Sequence, residues 1–242
     1  MDIKKIIFYV VIIIVVFSLY KWLFRDGTTT NVLDMASGKK EKIVPVEDMK
    51  GDTGSTFFTY SMWVYISSWN YRLGQEKVLV ERVGSDETES CPKIALAQNV
   101  NDLEITLASL QSVENSDSNS KTCVIKNIPL QKWTHILVTT NNHSLDTYID
   151  GKLVKTCLLP GSPKINGEAE LKVCPKSTDG SDGGFDGHIA KVRYYPKTLN
   201  PREAYELYKE GPSKGLFGNL MSKYKLKFSY YVDNKEEGTI TI

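Results

Sequence analysis

The chain has 242 residues, with 30 Lys and Arg set against 29 Asp and Glu, so its formal net charge is +1. No Lys/Arg cluster interleaved with aromatics occurs in its body, which argues against the basic face of a nucleic-acid binder. Beyond an N-terminal stretch, about 190 residues remain, enough for one sizeable β-sandwich or barrel.

Ile6 to Phe24 is a near-unbroken apolar run, IIFYVVIIIVVFSLYKWLF, with Lys21 its only charge. At about 1.5 Å per residue such a run matches a bilayer core of roughly 30 Å. Lys4 and Lys5 precede it, and Lys21 and Arg25 flank its far end. The expectation is a single-pass transmembrane anchor over residues 1–25, with Ile6, Phe8, Ile12, Val16, Trp22 and Phe24 among its lipid-facing groups. A cleaved signal peptide is the alternative. However, Trp22, Leu23 and Phe24 stand where its small cleavage-site residues belong, and Tyr20 and Trp22 suit an interfacial aromatic belt. Positive charge lies on both sides, so the orientation stays open. Residues 26–50 are polar, include Lys39 to Lys42 (KKEK), and read as a juxtamembrane stalk.

From Phe57 the chain becomes a succession of short alternating runs. FFTYSMWVYI (57–66) is apolar on both faces, as in a strand buried within layers. KVLVERV (77–83), KIALAQ (93–98), LEITLA (103–108) and CVIKNI (123–128) follow, with a turn at Asn99 to Asp102 and a polar loop over 111–122. The strand WTHILVTT turns at Asn141 to Ser144 into LDTYI. Asp150-Gly151 then forms a two-residue turn into KLVKTCLL, because a type I′ turn needs positive φ at both central positions. GHIAKVRYY (187–195) is one more strand. Residues 201–208 form a short helix with Pro201 in its first turn and Asn200 as its cap. Many strands and one short C-terminal helix predict an all-β jelly-roll sandwich over 51–212.

Cys91, Cys123, Cys157 and Cys174 are disulfide candidates, and four cysteines allow three pairings; buried thiols are the alternative. If Cys91 and Cys123 sit on the first and third strands of a meander they are too far apart to bridge, which favours pairings that use Cys157. The spacings contain no CxxC pair and are unlike a zinc site.

The strings IPLQKWTHILVTTNNHSLDTYIDGKLV and GGFDGHIAKVRYYPKTLNPREAYELY resemble the concanavalin A-like lectin/glucanase superfamily, and within it the laminin-G and pentraxin-like modules. There a W-[TH]-H strand pairs with a Y-[IV]-D-G strand, and F-x-G-x-[IL] opens a late strand before an L-x-P-x-E helix. The resemblance covers roughly Phe57 to Tyr208 and implies two stacked antiparallel sheets with a concave face. The overall build, with the strings CPKIALAQNVNDLEITL, CVIKNIPLQKWTHI and KGLFGNLMSKYKLKF, resembles membrane-anchored structural proteins of large icosahedral double-stranded DNA viruses.

Hydrolases of the superfamily carry E-x-D-x-x-E or E-x-D-x-E on one strand, and no such string occurs here; retaining chemistry would need two carboxylates about 5–5.5 Å apart. Asp179, Asp182 and Asp186, in STDGSDGGFDG, are weak calcium candidates, since Asp and Gly equally suit tight turns. Trp133, His135 and Leu137 share one strand face, and His135 reads as a packed histidine. Asn142-His143-Ser144 is a glycosylation sequon at a hairpin tip.

In the tail, 213–242, Tyr224, Leu226, Phe228 and Tyr230 alternate with polar residues, and Asp233-Asn234 makes a turn. One reading is an extra hairpin packed on the sandwich. The other is a docking arm that adds a strand to a partner's sheet. Together these features lead to a non-enzymatic, membrane-anchored structural protein without a cofactor. The resemblance implies a minor capsid protein that links an internal virion membrane to the capsid shell, with the bilayer and other capsid proteins as the expected partners. The alternative is a membrane-anchored carbohydrate-binding, lectin-like module with glycan partners.

Overall fold

The computed structural model describes residue 9 and residues 12–20, 29–51, 54–83, 90–110, 120–165, 167, 169–177, 183–213, 227–232 and 235–241. Residues 12–20 form a helical segment, α1. The strands of the body are β1 (Thr30–Ser37), β2 (Lys42–Val44), β3 (Thr59–Ser68), β4 (Lys77–Val83), β5 (Ser90–Leu96), β6 (Leu103–Leu110) and β7 (Ser120–Ile125). They continue with β8 (Trp133–Asn141), β9 (Ser144–Ile149), β10 (Lys152–Leu158), β11 (Ser162–Pro163), β12 (Leu171–Val173) and β13 (Asp186–Tyr195), before helix α2 (Pro201–Lys209). A six-stranded sheet runs β1-β13-β3-β8-β9-β10. A seven-stranded sheet runs β11-β6-β5-β4-β12-β2, with β7 also on β6. Every pairing is antiparallel.

Alternation explains the layering. On β3, Tyr60, Met62, Val64 and Ile66 point into a core shared with Ile136, Val138 and Val192 of the same sheet and with Leu79, Ile94, Leu96, Ile105 and Leu107 of the other. The opposite face of β3 is buried too, because α2 covers it. Ala204 and the partly buried Leu207 of α2, with Leu199 just before it, pack on Leu137, Tyr148 and Tyr195. This second layer is why both faces of 57–66 are apolar.

Helix α2 starts where its sequence dictates. The Asn200 carboxamide oxygen accepts from the Glu203 backbone N–H (3.0 Å), and the Glu203 carboxylate accepts from the Asn200 N–H (2.8 Å), with Pro201 opening the first turn. Asn200→Ala is expected to cost about 1 kcal/mol of stability, read as a lower urea midpoint with an unchanged slope. The turn between β9 and β10 has φ of 50° at Asp150 and 75° at Gly151, as a two-residue I′ hairpin requires. A Cβ at Gly151 would lie 3.0 Å from Cβ of Tyr208, so α2 rests on this turn. Gly187 is the glycine of the F-x-G string. A Cβ there would collide with the Tyr65 carbonyl oxygen, and Phe185 beside it is fully buried.

One feature differs from the sequence expectation. The stretch read as a stalk, 26–50, contains β1 and β2, which pair with β13 and β12 as the outermost strands of the two sheets. Thr30 and Val32 alone are buried along β1, and β2 spans three residues, so neither shows a clear period. In the tail, β14 (Lys227–Val232) and β15 (Lys235–Thr241) pair antiparallel as a hairpin, and among the described residues they pair with neither sheet of the sandwich. Of the anchor positions, Ile12 and Val16 lie on α1, while Ile6, Phe8, Trp22 and Phe24 fall outside the described residues. Among the described residues no helix is long and apolar enough to cross a membrane.

Candidate functional site

The outward face of the six-stranded sheet carries the densest chemistry. Register places Trp63 opposite His135, and Tyr65 between His188 and Trp133. Trp63 stacks on Tyr208 of α2 with centroids 5.7 Å apart and planes 20° apart. His135 is closed in between Trp63 and Tyr208, at 5.1 and 6.2 Å, and has no exposed surface.

Its Nε2 lies 2.9 Å from the Ser61 hydroxyl, and its backbone N–H donates to the Asp150 carboxylate (2.9 Å). The buried Nδ1 has no hydrogen-bond partner among the described residues. Burial pushes the imidazole pKa down to about 4. Asp150 and Glu210 oppose that shift, while Arg193 and Lys191 reinforce it. The ring is therefore neutral at pH 7. A Ser–His pair under a helix, with the serine 3% exposed, offers a substrate no approach.

Beyond Tyr208 the face is open. Tyr65 and Trp133 are half-buried, with centroids 5.6 Å apart and a 51° tilt, and exposed His188, Gln131 and Lys132 surround them. Such an amphipathic aromatic pair can stack on a ring that has one apolar face.

One cleft borders this layer and another lies on the other sheet. One, of about 510 Å³, lies between α2 and the β1–β13 edge and contains Asn31, Arg193, Lys197 and Arg202. Much of its charge is spent internally: Arg193 Nη2 sits 2.7 Å from Glu210, and Lys197 3.3 Å from Glu203. The other, of about 500 Å³, lies along the seven-stranded sheet, where Lys93 pairs with Glu76 (3.0 Å) and Glu81 accepts from Ser90 Oγ (2.7 Å).

The remaining candidates fall as follows. Cys123 and Cys157 form a disulfide, whereas Cys91 and Cys174 are buried outside it. Asp186 ion-pairs with Lys39 (2.7 Å), and Asp179 and Asp182 lie outside the described residues. Among the described residues no group of three His, Cys, Asp or Glu is placed to hold a metal ion. Tyr224 and Leu226 lie outside the described residues. Phe228 and Tyr230 fall on β14, opposite Ile240 and Gly238.

Sequence reasoning passed over the buried cations. Lys191 (9% exposed) donates to the Glu210 carbonyl (3.2 Å), and burial holds its ammonium pKa below the usual lysine value. Lys77 lies 4.5 Å above the Trp69 ring. The buried Arg82 donates from Nε to the Ala169 carbonyl (2.9 Å). The KVLVERV pattern carries a signal for the last two, charged residues at inward positions of a buried strand.

A family model described as the concanavalin A-like lectin/glucanases superfamily, of laminin-G type, matches residues 39–204. Among solved structures, the botulinum neurotoxin serotype G binding domain aligns at TM-score 0.52 and 17% identity, over 76% of this chain and 47% of that one. The serotype D binding domain aligns at TM-score 0.55 and 16% identity, over 73% of this chain and 41% of that one. The binding domain of botulinum neurotoxin DC, solved in complex with SialylT, aligns at TM-score 0.52 and 18% identity, over 70% of this chain and 39% of that one. The chain thus spans less than half the length of these structures, and the likeness is one of fold.

Proposed function

The chain belongs to the concanavalin A-like lectin/glucanases superfamily, and from that premise we propose a membrane-tethered, non-enzymatic binding module that holds a second surface at a set distance from a bilayer. The observation that carries this reading is α1. All nine of its residues are exposed, among them Ile13, Ile14, Val16 and Phe17, so the sandwich offers this apolar segment no core. Lipid is the solvent that such a surface requires. The enclosure of His135 and Ser61 beneath α2 supports binding in place of turnover. After alkaline carbonate extraction of membranes from cells making the full chain, the protein is expected in the pellet. Release into the supernatant would overturn the tether.

The finer form of this reading is a minor capsid protein between the internal membrane and the shell of a large icosahedral double-stranded DNA virus. It rests on the quoted strings alone. Mass spectrometry of purified particles should then recover the chain at a fixed ratio to the major shell protein, and absence from particles would remove it.

The open Tyr65–Trp133 pair favours a second reading, carbohydrate recognition, and one structure of similar fold was solved in complex with SialylT. In that case Trp133→Ala should abolish saturable glycan binding, and unchanged binding would count against this site.

A further inference from the structure

Positive charge on both sides of the apolar run leaves its orientation open, and the fold supplies what breaks the tie. The Cys123–Cys157 disulfide ties β7 of one sheet to β10 of the other. Such a bond forms and persists in an oxidising compartment, a secretory lumen or the cell exterior, and is rare where cytosolic thiols are kept reduced. A sandwich built around it fits the side of a bilayer away from the cytosol. Lys4 and Lys5, ahead of the run, then fall on the cytosolic side, where positive flanks are favoured.

The chain holds one N-x-[ST] sequon, Asn142-His143-Ser144. It forms the tip of the β8–β9 hairpin, where Asn141 pairs with Ser144. Asn142 has a φ of 52°, a left-handed conformation that asparagine tolerates better than most residues. Its carboxamide is held by the oxygen, which accepts from the Ser162 hydroxyl (2.6 Å). Nδ2, the atom that would carry a sugar, takes no part in that bond, and a glycosylated amide keeps its oxygen as an acceptor. The turn accounts for Asn142 but not for Ser144. That serine opens β9 across from Asn141 and Leu158, at a position where strands favour β-branched or aromatic residues.

Beside this tip lies surface that gains from cover. Among the described residues β10 ends its sheet, and its Leu153, Val154 and Leu158 are 51%, 52% and 78% exposed. An apolar edge strand is a template for association with another chain, and a bulky, hydrated glycan next to its end blunts it.

We propose that the sandwich lies on the lumenal side of the membrane and that Asn142 carries an N-linked glycan. The donor is a lipid diphosphate-linked oligosaccharide, used by the lumenal transferase. Asn142 Nδ2 forms a bond to the anomeric carbon of the first sugar, and that carbon's bond to the diphosphate oxygen breaks. The lipid diphosphate leaves, and Nδ2 gives up one proton. The orientation of the chain rests on the tethered-module reading; the modification needs only that the domain reach the lumen.

The test uses the full chain made in cultured animal cells, with its membranes treated with peptide N-glycosidase F and the chain followed by gel mobility. One discrete increase in mobility is expected, in most of the chain. It should be lost in Ser144→Ala, which leaves Asn142 in its turn, and kept in Ser144→Thr, which retains the sequon hydroxyl. A mobility difference with and without reductant, retained in both variants, checks that the disulfide and the fold are intact. A native chain that the glycosidase leaves unchanged, a shift that persists in Ser144→Ala, or one lost equally in Ser144→Thr would overturn the proposal. Carbonate extraction separates the two readings. A glycosylated chain in the supernatant removes the tether and keeps the glycan, and an unshifted chain in the pellet does the reverse.

Discussion

Opening the Cys123–Cys157 disulfide is expected to lower the unfolding free energy by about 3–4 kcal/mol, the largest single loss we expect from the body of the fold. The cysteines are 34 residues apart in sequence, so the bond removes a long loop's freedom from the unfolded chain. In the folded state it joins two strands that have little else to hold them together. Among the described residues, β7 pairs with β6 alone in the seven-stranded sheet, and β10 with β9 alone in the six-stranded one. The disulfide clasps this side of the sandwich, supported by Lys155 Nζ, which donates to the Val124 carbonyl (2.8 Å).

Urea unfolding with and without reductant measures the effect. A midpoint that falls in the native chain and not in Cys157→Ser, which already lacks the bond, would establish it. Coincident curves with and without reductant would rule it out. Cys174 should not confuse the comparison, because burial pushes its thiol pKa up to about 12 and leaves it without the thiolate that exchange requires.

The disulfide also shows where sequence reasoning reaches its limit. On the assumption of a meander, strand separation disfavoured a Cys91–Cys123 pair, and β6 does lie between β5 and β7. The actual partnership depends on how the two sheets face each other, which no local pattern encodes. The hairpins β8-β9-β10 were legible because Asp150-Gly151 specifies the turn and alternation specifies the faces. α2 was legible from Asn200, Pro201 and Glu203.

β1, β2, β11 and β12 were not legible. β1 is an edge strand with two buried residues, and the other three span two or three residues each, too short for any period to emerge. The open Tyr65–Trp133 pair was half visible. Trp133 was read on the face of His135 and Leu137, but its exposure follows from where α2 stops, just past Tyr208.

His135 yields the second large effect, and its sign follows from the burial of a neutral ring. The imidazole titrates near 6.5 when exposed and at about 4 in the fold. Between those values the unfolded chain binds a proton that the native state refuses, so stability falls as the pH drops from 6.5 to 4 and levels off below. At 1.36 kcal/mol per pKa unit, the loss is on the order of 3 kcal/mol. The native state has no cheap way to accept the charge. Nδ1 has no acceptor among the described residues, Arg193 and Lys191 already place positive charge nearby, and Asp150 and Glu210 compensate only in part.

Protonation should therefore act first on what closes the ring in, the contact with Tyr208, and loosen α2 from the sheet. His135→Gln keeps a polar group for Ser61 and cannot titrate. It is expected to be less stable than the native chain at pH 7, yet to lose less between pH 7 and pH 4.5. Carboxylates titrate alike in both proteins, so the difference between the two pH dependences isolates the imidazole. Parallel curves would mean that the ring takes its proton in place, and that α2 is not held by its neutrality.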